Sequence, residues 1–433
     1  MKGPMIRKFI FTIITLFAPV LAFASGAADP ITFSGIPLEF ILFGLTLIGV
    51  AIFHKYTLRV ALVGLSSILI LKLGFLNFDL PHHLMEESSI LLNLFGLLLG
   101  FAILANLFEE SKVPKLLPKI LPDDWKGPFF LLIFIFVLSA FLDNIAAALI
   151  GGSIAFTVFS RKVHIGYLAA IVAASNAGGS GSVLGDTTTT MMWIDGVSPF
   201  NVLHAYAAAI PALLFFGVFA SFQQHKYHPI LKGAYEAPKV NYKNLFVCIL
   251  ILTGAIIANF VLEFPSAGVW AAILIGSFFI KINWGEILKA LPGSLFLLSL
   301  VLCASMMPVD QLPDATWQTA FSLGFISAVF DNIPLTKLAL DQMGYDWGVL
   351  AYAVGFGGSM IWFGSSAGVA ISTMYPEAKS VSNWVKGGWH VIVGYVIGFT
   401  VLMLTFGWHP HAPHKTDGTS ENINEAPFAD PDE

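Results

Sequence analysis

Apolar runs separated by short polar loops dominate the chain. Those near residues 37–53, 58–76, 87–108, 200–222, 244–262, 267–282, 286–306 and 388–408 are long enough to cross a bilayer as helices. Four other stretches break this pattern. Residues 128–160 and 315–342 are too long for one crossing and short for two, and each carries an Asp-Asn pair near its middle, in "FLDNIAAAL" and "VFDNIPLTK". Residues 165–194 and 347–373 are apolar spans interrupted by glycine and serine, which predicts helices that stop and restart at membrane depth.

Loop charge orients these spans, because Lys and Arg concentrate on the cytoplasmic side. The first span ends at "HKYTLR", with Lys55 and Arg59, so that loop is inside. "NFDLPHHLMEE" has three acids and no Lys or Arg, so it is outside. "EESKVPKLLPKILPDDWKG" and "SRKVH" are both basic. Both ends of 128–160 are therefore cytoplasmic, as expected of a re-entrant hairpin with Asp143-Asn144 at its tip. About sixteen residues per arm reach roughly 24 Å, past the bilayer middle but short of the far side. Residues 315–342 have Asp310 and Asp314 before them and Asp341 and Asp346 after them, which predicts entry from the outside.

Two halves of the same order result. The first covers 37–222, with hairpin 128–160 and broken helix 165–194. The second covers 244–408, with hairpin 315–342 and broken helix 347–373. A cytoplasmic linker, 223–243, joins them. The fold class is an all-α polytopic membrane protein with an inverted-topology repeat: about ten transmembrane helices, two of them broken, plus two re-entrant hairpins. This is the build of many secondary transporters.

Composition agrees. The 433 residues are 56% hydrophobic and 11% charged, whereas a soluble domain is nearer about 25% charged. A net charge of −5 without a basic stripe argues against nucleic acid. Cys248 and Cys303 both fall in apolar spans and read as packing residues rather than a disulfide or zinc site. The first residues combine Lys2, Arg7 and Lys8, an apolar stretch and Ala22-Phe23-Ala24, the pattern of a signal peptide over 1–24; an ordinary first transmembrane helix is the alternative. Residues 409–433 are polar and Pro-rich, which predicts a disordered tail, on the periplasmic side by the loop charges.

The halves also match residue by residue. Asp143-Asn144-Ile145, Gly178-Gly179-Ser180 and Gly185-Asp186 in the first correspond to Asp331-Asn332-Ile333, Gly357-Gly358-Ser359 and Gly364-Ser365 in the second. From the Gly-Gly-Ser to the following glycine the interval is seven residues in both. A cation leaving water needs about six oxygens, which Asp, Asn, Ser, Thr and the carbonyls of a broken helix supply. "SNAGGSGSVLGDTTTT" offers Asn176, Asp186 and Thr187 to Thr190. Each hydroxyl also has an ordinary role, bonding back to a helix carbonyl.

Ionisable groups at membrane depth mark an ion or proton path. Here they are Asp143, Asp186, Asp331 and Lys337. Three carboxylates against one lysine suit a cation site, and a proton and a metal ion competing for one carboxylate suffice to couple them. Lys337 reads as a counter-ion to Asp331 or Asp186. Lys72 reads as a snorkelling side chain, Glu39 as solvated, and His204 and His390 as interfacial.

"FLDNIAAAL", "SNAGGSGSVLGDTTTTMMW" and "FDNIPL…GGSMIWFGSSAGVA" resemble NhaD-type sodium/proton antiporters, over about residues 87–408. That resemblance implies exchange of protons for Na⁺ or Li⁺ with no further cofactor, a bacterial inner-membrane location, and a homodimer. It implies ion or proton binding at Asp143, Asn144, Asn176, Asp186, Thr188 and Thr189, with Na⁺ at Asp143 and Asp186. In the second half it points to Asn332 and the serines around Gly364, Ser365 and Ser366; Asp331 and Ser359 join them through the repeat. Gly178, Gly179, Gly185, Gly357, Gly358 and Gly364 are the expected helix-break glycines.

The alternatives are a Na⁺-coupled dicarboxylate symporter or an arsenite exporter on the same scaffold. Asp-Asn at the hairpin tips, where dicarboxylate carriers have Ser-Asn-Thr, counts against the first. An intramembrane aspartyl protease would need Tyr-Asp and Gly-x-Gly-Asp, but Leu142 precedes Asp143 and Val183 takes the first glycine position before Gly185-Asp186.

Overall fold

The computed structural model describes residues 31–53, 56–230 and 239–410. The expected signal peptide, part of the 223–243 linker and the tail from 411 lie outside the described residues. A two-residue hairpin, β1 (Thr32–Phe33) and β2 (Ile36–Pro37), leads into an all-helical body, with Ser34 and Gly35 at positive φ in its turn.

The first half begins with α1 (Leu38–Ile52), α2 (Thr57–Phe75) and α3 (Leu80–Glu110). Next come α4 (Lys126–Ser139) and α5 (Asn144–Val158), joined by a short turn through Leu142 and Asp143. Then α6 (Ile165–Ser180) and α7 (Thr187–Ile194) flank a break, and α8 (Tyr206–Tyr227) closes the half. The second half runs α9 (Tyr242–Leu262), α10 (Pro265–Gly276) and α11 (Gly285–Ser305). It continues with α12 (Trp317–Ser327) and α13 (Asn332–Gln342), then α14 (Trp347–Gly357), a break and α15 (Ser366–Met374). The last helices are α16 (Val381–Gly387) and α17 (Trp389–Thr405), bent 59° at Gly388.

Among the described residues five helices are long and apolar enough to cross a membrane, six if the bent pair counts as one, and five shorter apolar helices accompany them. The protein is therefore a multi-pass α-helical membrane protein. Some spans differ in extent from the sequence pattern. α3 has 31 residues, well beyond the roughly 20 a bilayer requires, whereas α10 has 12, and only turn-type bonds carry it on to Ile280.

Packing divides the helices into two groups. α3 lies against α9, α10 and α11, and α2 lies against α1 and α11. The other group has α6 and α14 at its centre, where Gly166 to Ser180 and Trp347 to Gly357 are buried throughout. α4, α5, α8, α12, α15 and α17 surround these two. The outer face of α9, with Phe246, Ile249, Ile257 and Phe260, is exposed and apolar, as a surface meant for hydrocarbon should be.

Two polar residues depart from expectation. Glu39 is buried rather than solvated, and its partner is Lys72, at 3.4 Å. Lys72 lies in the last turn of α2 with its side chain only 13% exposed, so it turns inward to pair with Glu39 instead of snorkelling. His390 is likewise buried rather than interfacial, with Nε2 3.1 Å from Gln223 Oε1.

Candidate functional site

Close backbone approach comes first, because it places everything else. A Cβ on Gly178 would run into the carbonyl of Phe136, and one on Gly185 into that of Ser139. The break between α6 and α7 is thereby pressed against the end of α4. The same contacts recur in the second half, where Gly357 lies against the carbonyl of Gly324 and Gly364 against that of Ala328. Across each break the geometry also repeats. A Cβ on Gly179 would lie 2.7 Å from Gly185 O, and one on Gly358 2.7 Å from Gly364 O.

The acids follow the same rule. Asp143 caps α5, its Oδ1 accepting from Ile145 N at 2.9 Å and its Oδ2 from Thr187 Oγ1 at 3.4 Å. Asp331 caps α13, accepting from Ile333 N at 3.1 Å and from Ser366 Oγ at 3.4 Å. An aspartate at a helix N-terminus accepts an orphan N–H and meets the positive end of the helix dipole.

Beyond that the halves part. Asp186, buried at the start of α7, accepts from Asn144 Nδ2 at 2.9 Å and from Thr188 Oγ1. Asn144 also donates to Asn176 Oδ1 at 3.1 Å. Asn176 Nδ2 then donates to Ser359 Oγ at 3.0 Å and Ser365 Oγ at 3.1 Å. One chain of hydrogen bonds thus runs from Asp186 into the second half. The second half has no counterpart: Gly355 stands where Asn176 does, two residues before the Gly-Gly pair, and Ser365 stands for Asp186. Asn332, buried like Asn144, is left with its Nδ2 unpartnered. The exchange of Asp186 for Ser365 was already visible in the sequence, and the same Gly-Gly alignment shows Gly355 in place of Asn176.

A cavity of about 420 Å³ reaches the site. Asp143, Asp186, Thr187, Thr190 and Ser366 line its inner part, α3 lines it from Leu94 to Ala105, and Glu286 and Lys289 of α11 stand at the other end. These last two, 2.7 Å apart, gave no sequence signal beyond a polar helix start. A second cavity of about 220 Å³ touches Asp331, Ser365 and Ser366.

Two expectations need correction. The broken α6–α7 segment was expected to offer free carbonyls, but hydroxyls take several of them. Tyr206 donates to Gly178 O at 2.9 Å, Thr189 to Ser182 O at 2.6 Å and Thr190 to Val183 O at 2.8 Å. Thr189 braces the break, therefore, while Thr188 faces Asp186. Lys337 also has other partners than Asp331 or Asp186. Its Nζ lies 2.8 Å from Glu87 Oε1 and 2.7 Å from Asp341 Oδ1. Six residues along a helix put Lys337 on a different face from Asp331, whereas Asp341, four residues on, shares its face.

This arrangement places one buried carboxylate and a second capping carboxylate beside a cavity, with neutral amides and hydroxyls around them, and it suits a small cation or a proton. Comparison with known proteins agrees in kind. The profile of the citrate transporter family, CitMHS, matches residues 5–357. The sodium/proton antiporter 1 of Arabidopsis thaliana is 24% identical over 390 residues, covering 77% of this chain and 65% of that protein. The Na⁺/H⁺ antiporter NhaD of Alkalimonas amylolytica is 23% identical over 325 residues, 61% of this chain and 66% of that protein. That of Vibrio parahaemolyticus is 26% identical over 357 residues, covering 67% and 84%. The chain thus spans just under two thirds of the first and second of these relatives, and the resemblance to NhaD-type antiporters is borne out. With the family profile matching well over half of its length, the chain belongs to the citrate transporter family, CitMHS.

Proposed function

We propose that the protein exchanges Na⁺ or Li⁺ for H⁺ across a bacterial plasma membrane, with Asp186 and Asp143 as the groups that cation and proton share. The observation that carries this is the buried Asp186 carboxylate, held by Asn144 and Thr188 at the inner end of a cavity. Among the described residues no lysine or arginine forms a salt bridge with it. The names of the similar proteins support the same reading. The recurring glycine approaches and aspartate caps support an inverted repeat, with α4–α5 and α12–α13 entering from opposite faces. Asp331, Asn332, Ser359, Ser365 and Ser366 then form the second side of the pathway, with Asp331 its one acid.

Everted membrane vesicles carrying the protein and a pH-sensitive dye test this. Addition of Na⁺ or Li⁺ should collapse an imposed pH gradient. A response to dicarboxylates with none to Na⁺ would establish the symporter reading instead, in keeping with membership of the citrate transporter family. Competition for one carboxylate also fixes a pH dependence. The apparent KM for Na⁺ should rise as pH falls, by up to about tenfold per pH unit, with the maximal rate little changed. A KM flat with pH would show that ion and proton use separate groups.

A further inference from the structure

The ends of the cavity differ. At the start of α11 it is bordered by Glu286 and Lys289. At the other end of α11, Ser305 Oγ lies 2.9 Å from His83 Nε2, in the second turn of α3. α3 and α11 are therefore antiparallel, and the first turns of α3 lie some 30 Å from Glu286, the length of 21 helical residues. Leu94 is the last residue of α3 along the cavity wall in that direction, and Glu87 is two turns, about 10 Å, beyond it.

At that point Lys337 crosses from α13 to α3. Its ammonium is 2% exposed and holds Glu87 and Asp341 together, while Glu87 Oε2 and Asp341 Oδ2 are buried without a hydrogen-bond partner. α13 carries Asp331 of the site and packs against α11, α7 and α14, while α3 packs against α9, α10 and α11, so the ion pair ties the site-bearing helix to a second neighbour of α11. A buried ion pair adds little net stability over apolar packing, yet breaking it by removing one partner is costly. Such a pair between α13 and α3 suits a contact that must hold in one arrangement and part in another.

We propose that Lys337, with Glu87 and Asp341, is the gate closing the end of the pathway remote from Glu286, and that Asp143 and Asp186 open to that side only when Lys337 and Glu87 separate. This rests on access to the site from alternate sides, not on which ion is carried.

Single-cysteine labelling tests the gate without any transport assay. The full chain carrying Cys248→Ala, Cys303→Ala and Leu98→Cys places one thiol on the cavity wall between the two ends. Vesicles of both orientations are treated with a charged, membrane-impermeant maleimide. With the gate intact, Leu98→Cys should label fast from one side only. Lys337→Met and Glu87→Gln should each raise labelling from the other side by about tenfold, and Glu87→Lys combined with Lys337→Glu should bring it back down. Should both single variants label at the background rate from the far side, with normal labelling from the near side showing an intact fold, the gate is refuted. Loss of Na⁺ exchange in the parent chain with this labelling pattern intact would count against the cation reading alone.

Discussion

Asp186→Asn is expected to abolish Na⁺-driven proton movement while leaving a folded protein. The substitution keeps the size and planarity of the side chain, so the pocket built by Asn144 and Thr188 stays filled. What disappears is the negative charge, and with it both the reason for a cation to leave water and the site a proton would occupy. Removing even an outer partner of a bound ion commonly costs 10–100-fold in affinity, so loss of the carboxylate should exceed about a hundredfold. Dye quenching in everted vesicles reads the loss, and size-exclusion behaviour in detergent checks the fold. Exchange within a few-fold of the parent would remove Asp186 from the mechanism. Asp143→Asn should also fail, but less completely: Asp143 spends one oxygen on the α5 cap, and its other contact is a long one to Thr187.

The second large effect concerns folding. Gly178→Ala and Gly357→Ala should each destabilise the protein by about 1–3 kcal/mol or more, because the added methyl meets a backbone carbonyl, Phe136 in one half and Gly324 in the other. A side chain could swing aside, but these carbonyls belong to α4 and α12 and can yield only if a helix moves. Gly74→Ala is the control, since nothing lies within 4 Å of its added Cβ. Thermal unfolding in detergent should separate the first two from the third by several degrees. If Gly178→Ala melts with Gly74→Ala, the close approach of break and hairpin is not what holds the site.

Much of this was legible in the chain because it is local or repeated. Apolar run length, Gly-Gly-Ser and Asp-Asn are short-range signals, and they led to the α4–α5 and α12–α13 turns and to both breaks. The charge pairs were not legible. Lys337 and Glu87 are 250 residues apart, and no spacing rule connects them. Glu39 sits one residue into α1, where an acid ordinarily faces water, and only the packing of α2 shows it is buried. The threonine run misled in the opposite direction. Four adjacent hydroxyls look alike in sequence, yet Thr188 holds Asp186 while Thr189 and Thr190 close carbonyls of the break. The sequence showed two like halves, and geometry alone assigned Asn176 to bridge them.

That bridge limits how the chain can change. Asn176 has one amide oxygen and two N–H groups, and Asn144, Ser359 and Ser365 occupy all three. A substitution at Ser359 or Ser365 leaves a donor stranded in a dry interior, and the amide can settle only by turning, which disturbs Asn144 and then Asp186. Effects of changes on the two sides will not simply add. Two segments joined in this way cannot drift independently: each constrains which residues the other accepts.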